Sequence, residues 1–152
     1  MAKTFILEVH TPYRLFYCEA ILGLTVTITD GEIGVFFGHS YFTSPVREGI
    51  LKIKTLDGKW LEAFIREGFL EVKDVKSVLL VDAAEWPNEI DYKRALQAKE
   101  AAEEKLKNRA FKFEDIAAKE ALDRAEHRLK VYIRQYGTNS EIDAHYQSRQ
   151  NN

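Results

Sequence analysis

Leu24-Thr25-Val26-Thr27-Ile28-Thr29-Asp30-Gly31-Glu32-Ile33-Gly34-Val35-Phe36-Phe37-Gly38-His39 is the stretch that decides the fold. Residues 24–29 alternate apolar and polar, so Leu24, Val26 and Ile28 share one face of a strand. Asp30-Gly31 supplies a turn, because glycine takes positive φ without steric cost. Residues 33–37 then resume the sheet. The same grammar repeats outward. Residues 4–9 form a short strand stopped at Thr11-Pro12. Residues 49–54, 60–66 and 69–73 read as strands joined at Asp57-Gly58 and Glu67-Gly68, and residues 77–81 are the last strand. Seven or more short strands with glycine turns predict a flattened antiparallel β-sandwich or barrel over residues 1–86.

Composition changes near residue 85, from Val, Ile, Thr and Phe to Ala, Glu, Lys and Arg. Asn88 reads as an N-cap with Asp91 three residues later, opening a helix that runs to about residue 107. Its apolar positions are Ile90, Ala95, Ala98, Ala102 and Leu106. Residues 108–113 break the pattern. A second helix is expected over about 114–136, with a stripe of Ala118, Ala121, Leu122, Ala125, Leu129, Tyr132 and Tyr136. Gly137 stops it. The pair predicts an antiparallel α-helical hairpin over 87–137. Its alanine seam buries little area, which at about 0.8 kcal/mol per buried CH₂ makes it weak. Residues 138–152 are polar and expected to fray.

Chemistry is sparse. Gly31, Gly34 and Gly38 do not form a dinucleotide or P-loop pattern, and no nucleophile elbow exists. His10, His39, His127, His145 and the lone Cys18 share no metal-ligand spacing, so no metal and no catalytic residue is expected. The net charge of -2 gives no field favouring nucleic acid. No apolar run nears the roughly 18 to 20 residues needed to span a bilayer, and residues 1–4 lack a signal-peptide core. These features suggest a reducing, cytoplasmic location with any membrane contact made through a partner.

Two regions are specific. One is Asp30-Gly31-Glu32-Ile33-Gly34 through Gly38-His39, preceded by Thr11-Pro12 and followed by Gly49-Ile50-Leu51-Lys52-Ile53 and Gly68-Phe69-Leu70-Glu71-Val72. The other is Ile90-Asp91-Tyr92-Lys93-Arg94-Ala95. In this order, over residues 4–136, the set resembles the epsilon subunit of F-type ATP synthases. Tyr41 departs from the pattern, which usually has proline there.

The resemblance implies a non-catalytic rotor subunit whose sandwich sits on the gamma subunit and the c-ring, at the cytoplasmic face of a bacterial plasma membrane. It implies a loop carrying Glu32, Gly38 and His39 at that interface, although the glycines are equally what turns and a bulge require. Phe36, Phe37, Tyr41 and Phe42 are candidates for an exposed apolar patch, or for core. The resemblance further implies that the hairpin inhibits ATP hydrolysis by contact with the beta subunit of the alpha/beta catalytic head. Lys119, Arg124, Arg128, Lys130 and Arg134 would supply the charge, with Asp123 and Glu126 interspersed. No cofactor is required, but some relatives bind ATP as a regulatory ligand. The matching positions here are Glu85, Ile90, Asp91, Arg94, Ala95, Arg124 and Arg128, while a further arginine of those relatives falls on Ala101. A free-standing β-sandwich adaptor with a partner-binding hairpin is the alternative.

Overall fold

A computed structural model describes residues 3–108 and 112–137. The chain splits into two compact units, Met1–Trp86 and Pro87–Asn152. The first is all β: β1 Phe5–His10, β2 Leu15–Ile21, β3 Gly23–Ile28, β4 Gly31–Phe36, β5 Phe42–Val46, β6 Gly49–Lys54, β7 Trp60–Ile65, β8 Gly68–Val72, β9 Lys76–Val81 and β10 Ala84–Glu85. They form one sheet in the order β10-β7-β6-β3-β5-β8-β9-β1-β2, with β4 paired to β3. All pairings are antiparallel except β1 with β9. The expected sandwich is present, as a nearly closed barrel.

β3 joins the parts. It pairs with β4 along its length, with β6 over Gly23 to Thr25, and with β5 at Ile28. The turn after it lies one residue earlier than expected: Thr29-Asp30 connects the strands and Gly31, at φ 125°, already pairs with Ile28. Leu7, Val9, Leu24, Val26, Leu51, Ile53, Leu70 and Leu79 point inward and are almost wholly buried. Leu24 and Val26 behave as their alternation requires, while Ile28 is half-buried against this core.

Three strands differ from the sequence expectation. β2 hides because its alternation is broken: the β1–β2 register shifts at Val9/His10, so the consecutive Phe16 and Tyr17 are both buried. β5 contains Pro45, which cannot donate to a ladder. β10 is two residues long.

The ends of the sheet meet through side chains. Trp86 stacks on Phe16 of β2 with centroids 4.3 Å apart and meets Tyr17 edge-on at 6.0 Å. The Arg14 guanidinium lies 5.0 Å from the Phe16 ring centre and donates to the Ala84 carbonyl at 3.3 Å. Burial pushes the Tyr17 phenol up to about 12, with the nearby Glu19 carboxylate adding to the shift.

The second unit holds a 3-10 turn, Pro87–Glu89, then α1 Tyr92–Lys107 and α2 Lys112–Tyr136. Asn88 is not the N-cap. Pro87 opens the 3-10 turn, Ile90 N–H closes it onto the Pro87 carbonyl, and Asp91 is the first extended residue. Its carboxylate accepts from Arg94 N–H at 3.1 Å and caps α1. Tyr92, Ala95, Leu96 and Leu129 pack together with Tyr132 and Ile133 against them. Ala98 is exposed, and Val131, outside the expected stripe, is fully buried. Gly137, at φ 77°, ends α2 with its N–H on the Ile133 carbonyl. The tail expected at 138–152 lies outside the described residues. Among the described residues no helix is long and apolar enough to cross a membrane.

Gly68 is a point of no tolerance. A Cβ there would overlap the Leu80 carbonyl oxygen and press on Val81 Cα, both backbone atoms of the paired strand. At Gly23 the obstacle is only the half-exposed Phe36 ring, which can swing aside. Gly68→Ala should therefore cost about 3 kcal/mol, and Gly23→Ala about 1 kcal/mol, in urea unfolding followed by tryptophan emission. Equal losses at the two sites would refute this account.

Candidate functional site

In the sandwich, Glu32 and Gly38-His39 do not share a loop. Glu32 is the second residue of β4 and Gly38-His39 follow its far end, so they lie roughly 20 Å apart at the usual rise per residue. Glu32 is exposed opposite Thr27. Gly38 takes φ 81° in the connection to β5. His39 is held there, its N–H on the Phe36 carbonyl at 3.1 Å, its Nδ1 2.8 Å from the Ser40 carbonyl oxygen, and its ring edge-on to Phe42 at 5.9 Å. The four nearby aromatics divide. Phe42 packs against the core, while Phe36, Phe37 and Tyr41 are exposed, with the Lys3 ammonium 5.5 Å from the Phe37 ring centre.

Another apolar surface lies elsewhere on the sheet. The registers align Leu15, His10, Leu80, Phe69 and Pro45 in one rung across β2, β1, β9, β8 and β5. Their sequence neighbours Val9, Leu70, Leu79 and Val46 face the core, so the rung faces out. Leu15 is 54% exposed, Leu80 53% and Phe69 45%. Pro45 is exposed too. A sandwich that leaves such a row uncovered presents a surface suited to a partner. One local sign existed in the sequence: Leu79 and Leu80 are both apolar where alternation leaves one outward place.

In the helical unit, the seven positions matched to ATP binding separate by role. Ile90 and Ala95 are buried. Asp91 caps α1 and Arg94, in the first turn, is exposed. Arg124 and Arg128 are half-buried, one turn apart on one face of α2. Glu85 is not on the hairpin; it lies in β10 of the first unit, paired with Phe64. The packing of Tyr92, Ala95 and Leu96 with Leu129 brings the start of α1 beside the stretch of α2 that follows Arg128.

The basic residues of α2 form two faces. Lys119, Lys130 and Arg134 are exposed and share a side with Asp123 and Glu126; Arg124 and Arg128 lie on another. Nearer the turn between the helices, Ala98, Ala101, Ala102, Ala117, Ala118 and Ala121 line a groove of about 510 Å³. Ala101 is thus a groove wall and offers no charge. Among the described residues no His, Cys, Asp and Glu side chains gather into a group that could hold a metal ion.

Comparison with known proteins agrees across both units. A family described as "ATP synthase, Delta/Epsilon chain, beta-sandwich domain" matches residues 4–87, and "ATP synthase, Delta/Epsilon chain, long alpha-helix domain" matches residues 88–132. A protein named ATP synthase epsilon chain from Caldanaerobacter subterraneus subsp. tengcongensis is 52% identical over 132 residues, 86% of this chain and 95% of that one. One of the same name from Caldicellulosiruptor saccharolyticus is 46% identical over 84% of this chain and 92% of that one. Among solved structures, a chain of the Euglena gracilis mitochondrial ATP synthase, in an assembly of OSCP, F1 and c-ring, superposes with a TM-score of 0.73 at 26% identity. The match covers 81% of this chain and 78% of that one.

Proposed function

The chain belongs to the ATP synthase delta/epsilon family, and from that membership we propose that it is the epsilon-type subunit of a bacterial central stalk. It is a non-catalytic part of that enzyme. Its partners are the gamma subunit, the c-ring and the alpha/beta catalytic head, and it meets the membrane only through them, on the cytoplasmic face. The observation that carries this reading is the match of both units to the family over residues 4–132, and the outward apolar rung of Leu15, Leu80, Phe69 and Pro45 offers it a docking surface. We assign that rung to gamma. The two ends of β4, with Glu32 at one and Gly38-His39 at the other, give the sandwich separate contacts for the c-ring and gamma.

The hairpin carries the regulation. Its exposed Lys119, Lys130 and Arg134 suit contact with an acidic surface of the beta subunit, and Asp123 and Glu126 on the same side moderate that charge. Arg94, Arg124 and Arg128 are the hydrogen-bond donors to phosphate in the proposed ATP site, where planar guanidinium forks suit phosphate oxygens. Ile90 and Ala95 serve it by packing, and Asp91 by fixing the start of α1. ATP would hold the two helices together by mass action.

Three measurements test these assignments. Leu80→Asp should weaken binding to an alpha/beta/gamma assembly by tenfold or more, about 1.4 kcal/mol or above, since it desolvates a carboxylate in an apolar contact; unchanged binding overturns the gamma assignment. Removing residues 87–152 should leave assembly intact and raise ATPase activity about fivefold or more, the low end of ordinary coupling energies. Unchanged activity removes the inhibitory role. Calorimetry of the full chain with ATP should give saturable heat, and Arg94→Ala should weaken it about tenfold, the worth of one charge-assisted hydrogen bond. No heat at millimolar ATP ends the sensor reading.

A further inference from the structure

One polar side chain interrupts the apolar rung. His10 lies in β1 with Leu15 opposite on β2 and Leu80 opposite on β9. Its side chain is 39% exposed, so it belongs to the surface that a partner would cover. Its Nε2 is 3.7 Å from Glu8 Oε2. That carboxylate is already taken: Lys76 Nζ of β9 stands 2.6 Å from the same oxygen and is the main reason Glu8 is held below the usual carboxylate range. Glu8 and Lys76 therefore cancel, and a protonated His10, which shares that carboxylate with Lys76, would leave the three groups with a net positive charge.

Exposed Asp82 and Arg47 follow Leu80 and Pro45 by two residues, and the nearer charges on this side have partners. Glu71 of β8 is 3.1 Å from Lys73, and the Arg14 guanidinium is engaged with Phe16 and the Ala84 carbonyl. Cys18 faces Glu8 from β2. Among the described residues Glu8 is the one carboxylate in ion-pair contact with His10.

We infer that His10 makes the docking of this face pH-dependent, so that gamma is bound tightly when the imidazole is neutral and weakly when it is protonated. The inference rests on the assignment of the rung to gamma. The physical reason is desolvation. Covering the rung strips water from His10, and an imidazolium loses far more by that than a neutral ring. Histidine is the side chain whose charge changes within the physiological range. The sign follows: the bound state disfavours the proton, so affinity is full at high pH, where the imidazole is neutral, and falls as acidification protonates it. With one proton involved, the loss between about pH 8 and pH 5.5 should be about tenfold. Acidification of the compartment would then loosen the sandwich from the stalk without touching the hairpin.

The test uses the full chain and an alpha/beta/gamma assembly of the same enzyme lacking it, with circular dichroism confirming the fold at each pH. Wild-type affinity should fall about tenfold over that range. His10→Gln and His10→Thr, whatever their affinity at the alkaline end, should hold it flat across the range. A fall in these variants parallel to wild type overturns the role of His10. Leu80→Asp at the alkaline end separates the two layers of the argument. Weakened binding there keeps the docking face and leaves His10 alone on trial, whereas undiminished binding removes the face and the inference with it.

Discussion

A sheet that stops short of closing has two raw edges, and here they are β2 and β10. No ladder joins them. The Phe16–Trp86 stack, with Tyr17 against its side and Arg14 reaching the Ala84 carbonyl, holds these edges together in place of backbone pairing. Much depends on that contact. It buries the two consecutive aromatics that the β-bulge turns inward. It secures β2, whose Leu15 starts the apolar rung. It also fixes Trp86, the last residue of the first unit.

The helical unit is built to the opposite principle. Its well-packed end is a small cluster of Tyr92, Ala95, Leu96 and Leu129, with Tyr132 and Tyr136 in ring contact beyond it. Towards the turn between the helices, alanines of both line a groove with Lys105 and Asn108, and Ala102 and Ala118 are buried there. A ligand bridging Arg94 to Arg124 and Arg128 would reinforce the end where α1 begins.

β3 was legible from its alternation, and β6, β8 and β9 from short apolar runs bounded by turn residues. β2 was not legible, since a bulge sets two aromatics on one side, and that is a property of the pair and not of the strand. The N-cap was displaced from Asn88 to Asp91 because burial of Ile90 is a tertiary matter that capping residues do not announce. The candidate residues were only partly readable. Arg124 and Arg128 share a face by spacing alone, but Glu32 and Gly38-His39 were joined in one loop when a strand intervenes. The rung of Leu15, His10, Leu80, Phe69 and Pro45 draws on five strands spread across residues 10–80. No window of sequence shows it, because only the register brings those residues level.

That rung has a mechanical side. It crosses five strands, about 19 Å at the usual strand spacing, and runs parallel to the backbone hydrogen bonds that join them. A drag along the strands loads every bond of a ladder at once, in shear. A drag along the rung pulls the ladders apart one at a time. The face is therefore stiff in one direction and compliant in the other, and a load carried through it is borne best where it follows the strands.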